Sequence, residues 1–383
     1  MDGDIPAARA TSEATPATAT ATATATDKPG ARVVFVDVLR LLALFQMING
    51  HTLDAVTPEA GRVGPLYDRY TYLRGLVSVA FMVASGLAYH LATLARFEAH
   101  KADPGVRRRR VRRGLVLIAI GYALHYSPGL RSSDPEILER SVATILRVDV
   151  LQTIGLSLLL LEAITFVSAT VRQARMTALG LALLLVALAP AAAALPVDSS
   201  TRWIVNWLGH QGGSLFPILP WGAYVLAGAS LGAFLVPDGA TARRTAPPRA
   251  LTASALTALG AWLGYLLWPL PAALHASELG FFFERLAAVL ALAAALAFLT
   301  RHTRDLPGPF RTLASETLSV YVFHILFLYW TSWGPARLFP HTLSLLPALG
   351  VSAAALVLCL GVGVGVPRAR PWLGARGRPA RSP

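Results

Sequence analysis

Apolar runs of about twenty residues recur along nearly the whole chain, and a run of that length crosses a bilayer as a helix. The chain is 54% hydrophobic and 14% charged, with a mean hydropathy of +0.53. That composition overrides its length of 383 residues, which in a soluble protein would suggest two or three domains. Backbone polar groups find no partners in lipid, so spanning segments close their own hydrogen bonds as helices. The fold class is therefore all-α, a polytopic membrane bundle of about ten transmembrane helices. The expected spans are 33–51, 72–95, 114–127, 148–168, 176–196, 214–236, 251–270, 280–300, 312–331 and 343–366. Residues 1–30, an Ala-Thr repeat with Pro and Gly, are expected to be a disordered tail without the pattern of a signal peptide. The bundle is expected over 31–367, with a basic, disordered tail over 368–383.

The formal net charge of +13 fits membrane topology better than nucleic-acid binding. With the N-terminus cytoplasmic, both tails and the alternate connections on that side carry 24 Lys and Arg, eight of them in 96–113. The opposite connections carry eight: Arg62, Arg69, Arg74, Arg131, Arg140, Arg147, Arg202 and Arg337. Arg40 and Arg285 fall deeper within spans, and Arg74 is counted with the connection it adjoins. A three-to-one bias that alternates at every connection places both termini in the cytoplasm. The densest cluster, Arg107–Arg113, reads as a topology determinant that also meets anionic lipid, or as a landing site for an anionic cofactor. The single cysteine, Cys359, allows no intrachain disulfide, and no spacing calls for a metal.

The first span holds the chemistry. Arg40 and His51 are eleven positions apart, which is about three turns plus 20°, so both face the same way roughly 16 Å apart along the axis. A permanent cation in a membrane helix costs roughly 3 kcal/mol or more, and such a residue is a functional suspect. Asp37, three positions before Arg40, can pair with it on the same face. A guanidinium near the cytoplasmic end could hold the phosphates or thioester of a donor. An imidazole near the outer end could take a proton from an attacking hydroxyl or amine. The bland alternative is a buried ion pair with an interfacial histidine.

These residues carry a resemblance. Arg40-x10-His51 is similar to the signature of the transmembrane acyltransferase superfamily. The string from Phe35 through Arg40 to Met47-Ile-Asn-Gly-His-Thr-Leu-Asp54 resembles bacterial membrane proteins related to the heparan-α-glucosaminide N-acetyltransferase catalytic domain. Stretches 147–155, 216–228 and 317–324 resemble further motifs of that branch, in the same order. Leu41 stands where the family commonly has Gly. The resemblance implies acyl-CoA, in the form of acetyl-CoA, as co-substrate with no permanently bound cofactor. It also implies a carbohydrate or glycolipid acceptor on the far side and the bacterial cytoplasmic membrane as location. His51 would be the catalytic histidine with Arg40 as its partner, and Arg40 and Asp37 would face the donor.

Candidate acceptor contacts are Asn49, Asp149, Gln152, Trp221 and His324. Asp149 and Gln152 could bind a sugar hydroxyl, or Asp149 could pair with Arg147. Trp221 could line a cavity, or anchor a kinked helix end with Pro217 and Pro220. Glu284 and Arg285 read as reaching the interface. Gly228-x3-Gly232 and Gly260-x3-Gly264 read as close helix packing. Two other functions compete. One is a secondary transporter using Asp37, Arg40, Glu162 and Glu316, against which the chain shows no internal repeat. The other is a lipid-linked sugar glycosyltransferase using Asp54, Glu59 and Asp68.

Overall fold

The computed structural model describes residues 32–236, 242–267 and 276–375. The expected tail over 1–30 lies outside them, as do 268–270 of the seventh expected span and 376–383. Among the described residues the fold is helical throughout, without a strand. The helices are α1 (Val34–Val56), α2 (Pro65–Ala92), α3 (Phe97–Ala102), α4 (Pro104–Leu124), α5 (Pro135–Ile145), α6 (Val150–Val167), α7 (Val171–Ala193) and α8 (Arg202–Leu208). They continue as α9 (Ile218–Leu235), α10 (Ala242–Leu267), α11 (Ala276–Leu299), α12 (Gly308–Ser315), α13 (Thr317–Ile325), α14 (Pro335–Leu338) and α15 (Leu345–Ala375).

Seven helical segments among the described residues are long and apolar enough to cross a membrane, or eight if α12 and the helices after it form one span bent by 71°. Each of the ten expected segments contains helix among its described residues. α4 misses the apolar criterion because the arginine cluster forms its first half, so the third expected span extends toward its N-terminus. α2 begins seven residues before its expected start at 72, because Gly64 turns the chain at φ 104° and Pro65 is preset for a first helical turn. Arg69, expected in a connection, is therefore helical. α15 runs to Ala375, past the expected boundary at 367.

Glycines set the tightest crossing. A Cβ on Gly86 of α2 would meet the Ala229 nitrogen of α9 at 2.6 Å, and one on Gly228 would meet the Val83 backbone at 3.1 Å. Gly232 packs on the His90 ring. Gly260, in contrast, has only ordinary contact with Phe283 at 3.7 Å, so close packing holds for the first glycine pair and not at Gly260. Gly86→Val is expected to cost about 1–3 kcal/mol, because the obstructing atoms are backbone and cannot turn away. Thermal unfolding of the detergent-purified protein would show it as a lowered midpoint.

A second anchor ties α2, α3 and α6 at one end of the bundle. The Tyr89 hydroxyl donates to Glu162 at 2.9 Å, and His100 Nε2 lies 2.6 Å from the other carboxylate oxygen. All three side chains are buried. Glu162 is thus held from two sides and is not a free carboxylate on a transport path.

Candidate active site

α1 presents one stripe to the interior. Arg40, Met47, His51 and Asp54 are separated by seven, four and three positions, which keeps them on one helical face. All four, with Gly50 at the edge of the stripe, line a cavity of about 700 Å³ bounded also by α2, α4, α6, α9, α11 and α13. The same cavity holds both ends of the stripe.

At the Arg40 end the walls are cationic. Arg110 and Arg113 of α4, one turn apart, line the cavity with Arg40, and Arg113 lies near enough to act on the Arg40 charge. Arg40 donates to Thr317 Oγ1 at 3.0 Å and sits 4.0 Å from Asp37. Asp37 lies 3.7 Å from Arg32 and stands behind Arg40, off the cavity wall. Within the arginine run, Arg107 is taken up by stacking over Phe166 at 4.8 Å. Three guanidiniums, of which Arg40 alone shares a carboxylate (Asp37, with Arg32), make an end suited to phosphate groups, which their planar donor forks fit two hydrogen bonds at a time.

At the other end stands His51. Its ring meets the His324 ring edge-on at 5.3 Å between centroids and the Tyr329 ring at 6.4 Å. The Tyr329 hydroxyl donates to the His51 carbonyl at 3.2 Å. The charges of Asp54, Asp149 and Arg74 act on the imidazole. Asp54 is ion-paired with Arg74, whose stem passes over Gly50 in the space a side chain there would fill. Asp149 caps the first turn of α6, and its other oxygen lies 3.5 Å from His125 Nε2. It therefore does not pair with Arg147. Trp221 lines this end of the cavity and donates from Nε1 to His210 at 3.3 Å.

The structure thus brings Arg40, His51, Asp149 and Trp221 to one cavity. It leaves four other expected site residues off the wall, each for a visible reason. Asn49 lies about 200° from His51 around the helix. It donates to Ser352 at 2.9 Å and accepts from the Tyr70 hydroxyl at 3.1 Å. Gln152 completes the capping box of α6, accepting from the Asp149 nitrogen and donating to the Arg147 carbonyl, each at 3.2 Å. Asp37 serves Arg32 and Arg40. His324 is fully buried behind His51, with Nδ1 3.3 Å from the Val320 carbonyl, so it touches the imidazole and not the cavity. Leu41, which stands in place of a glycine, is buried in the core beside Leu44 and Ile48, away from the cavity.

The sequence pattern left Arg110 and Arg113 undistinguished within the run 107–113 and missed Tyr89, Arg74 and Arg285 as site residues, all of which line the cavity. Arg285 was available as a signal, being a cation inside an apolar span. It lines the cavity.

A search of curated proteins found no match. Residues 32–268, which carry Arg40, His51 and the cavity walls from α1 to α9, match the catalytic domain of heparan-alpha-glucosaminide N-acetyltransferase. The chain belongs to that family of acetyltransferase catalytic domains.

Proposed function

We propose that this membrane acetyltransferase moves an acetyl or other short acyl group from acyl-CoA, entering at the Arg40 end, to a hydroxyl or amine of a carbohydrate or glycolipid held at the His51 end. The observation that carries this is the single cavity, cationic at one end and bearing an imidazole at the other. Arg40, Arg110 and Arg113 hold the donor's phosphates by charge-assisted hydrogen bonds. The pantetheine arm then runs along α1, where about 16 Å separates Arg40 from His51.

His51 acts as general base. It takes the acceptor proton as the oxygen or nitrogen attacks the thioester carbonyl, the C–S bond breaks, and the thiolate leaves and takes up a proton. His324 and Tyr329 fix the imidazole plane by their edge contacts. The charge asymmetry of the connections orients the Arg40 end toward the cytoplasm and the His51 end outward, in a bacterial inner membrane.

The test is transfer of label from acetyl-CoA to amino-sugar or glycan acceptors by the purified protein, together with thermal stabilisation by CoA. Transfer with stabilisation supports the reading. Absence of both overturns it, and acceptor uptake into vesicles without CoA would favour transport.

A further inference from the structure

Arg285 is the cavity charge for which acyl transfer as described has no use. It stands near the start of the apolar segment Gly280–Leu299, where a permanent cation is costly. Its position is closely defined. Nη1 donates to the Tyr72 carbonyl at 2.9 Å. The guanidinium lies 4.5 Å from the Tyr72 ring centroid and 4.8 Å from that of Phe281. Gly75 leaves it room: Cζ would stand 3.1 Å from a Cβ at that position.

Held in this way, Arg285 has no ion-pair partner among the described side chains. Among the described residues no carboxylate lies within ion-pair distance of it. Its Nε is buried and has no hydrogen-bond partner. The carboxylates at this end of the cavity are engaged elsewhere, Asp54 by Arg74 and Asp149 by the α6 cap and His125. Ring contacts favour the partly exposed cation and satisfy no N–H. A short series of neighbours leads from this side chain toward His51. Arg285 fills the space over Gly75, the neighbouring Arg74 fills the space over Gly50, and Gly50 precedes His51.

We infer that Arg285 anchors an anionic group of the acceptor, a carboxylate or a phosphate, and so presents a neighbouring hydroxyl or amine to His51. The site would take an acidic glycan or a sugar joined to lipid through phosphate, with Phe281 and Trp221, 5.8 Å apart, offering ring faces beside it. The word acceptor rests on the acyl-transfer reading, whereas the anion site does not. Arg285 lies beyond the stretch matched to the family, so this selectivity belongs to the later helices.

The test measures binding of glucosamine 1-phosphate, methyl glucosaminide and CoA to the full-length purified protein by thermal shift. The phosphate-bearing sugar is expected to bind about tenfold more tightly than the neutral one, the worth of one charge-assisted pair. Arg285→Gln should abolish that preference and leave the CoA shift intact, and Arg285→Lys should keep part of it. The retained CoA shift shows that the variants are folded. Equal response to the two sugars, absence of binding included, or a preference that survives in Arg285→Gln overturns the inference. An anion preference that depends on Arg285, found without any CoA shift, would sink the acyl-transfer reading and leave the anion site standing. A polyprenyl-phosphate-linked sugar binding more tightly than the soluble phosphate assigns the anion to a lipid carrier; equal binding assigns it to a soluble glycan.

Discussion

Replacing His51 with alanine is expected to lower the rate of acyl transfer by about 10²- to 10⁴-fold, the usual worth of a positioned general base. The loss should fall on the rate at saturating substrate and leave CoA binding unchanged. The structure explains why the variant should fold. The His51 ring lies on a cavity wall, and the Tyr329 hydroxyl contacts the backbone carbonyl, which alanine retains. The edge contacts to His324 and Tyr329 are lost, so His51→Gln, which is closer in volume, serves as a second variant. In the wild type the rate should fall on the acid side as the imidazole takes up a proton, and neither variant should show that limb. Transfer assays across pH with labelled acetyl-CoA measure both effects. Full activity in a folded His51→Ala protein would remove His51 from the reaction.

Arg40→Ala is expected to weaken CoA binding by about 10- to 100-fold, since a hydrogen bond to a charged group contributes roughly 1.5–3 kcal/mol. Arg40→Lys should recover part of this, because an ammonium keeps the charge and loses the planar fork. Arg40 also ties α1 to α13 through Thr317, so a structural effect must be separated from a ligand effect. Thr317→Val removes that tie alone and should leave CoA affinity within about twofold, a change worth only a few tenths of a kcal/mol. Thermal shift and equilibrium binding of CoA across the three variants decide the matter. If Thr317→Val matches Arg40→Ala, the guanidinium braces the bundle and the phosphates bind elsewhere.

The stripe on α1 was legible because two rare events coincide in one apolar run: a permanent cation, and a histidine at a spacing the helical repeat returns to the same face. The helical class was legible for a similar reason, since lipid permits few alternatives to helix. Helix rotation was harder to read. Asn49, Gln152 and Asp149 are all polar residues in or beside apolar segments, and sequence gives them equal standing. Only packing shows that Asn49 satisfies neighbouring helices and Gln152 the start of its own, while Asp149 meets the cavity. The roles of Arg110, Arg113 and Arg285 depend on contacts between distant helices. In the run 107–113 every arginine looks alike, yet one stacks on Phe166 and two turn to the cavity. The number of membrane crossings was blurred where charge and apolar residues share one helix, as in α4, and where the chain bends, as between α12 and α13.

The central claim is that one cavity receives its donor at the Arg40 end and its acceptor at the His51 end, on opposite faces of the membrane. Proteoliposomes test it directly, with labelled acetyl-CoA supplied on one face and the acceptor enclosed on the other. Labelled acceptor should appear inside the vesicles while CoA stays outside, and vesicles carrying His51→Ala should show none. Transfer only when donor and acceptor share a face, or acetyl-CoA itself crossing into the vesicle, would contradict it.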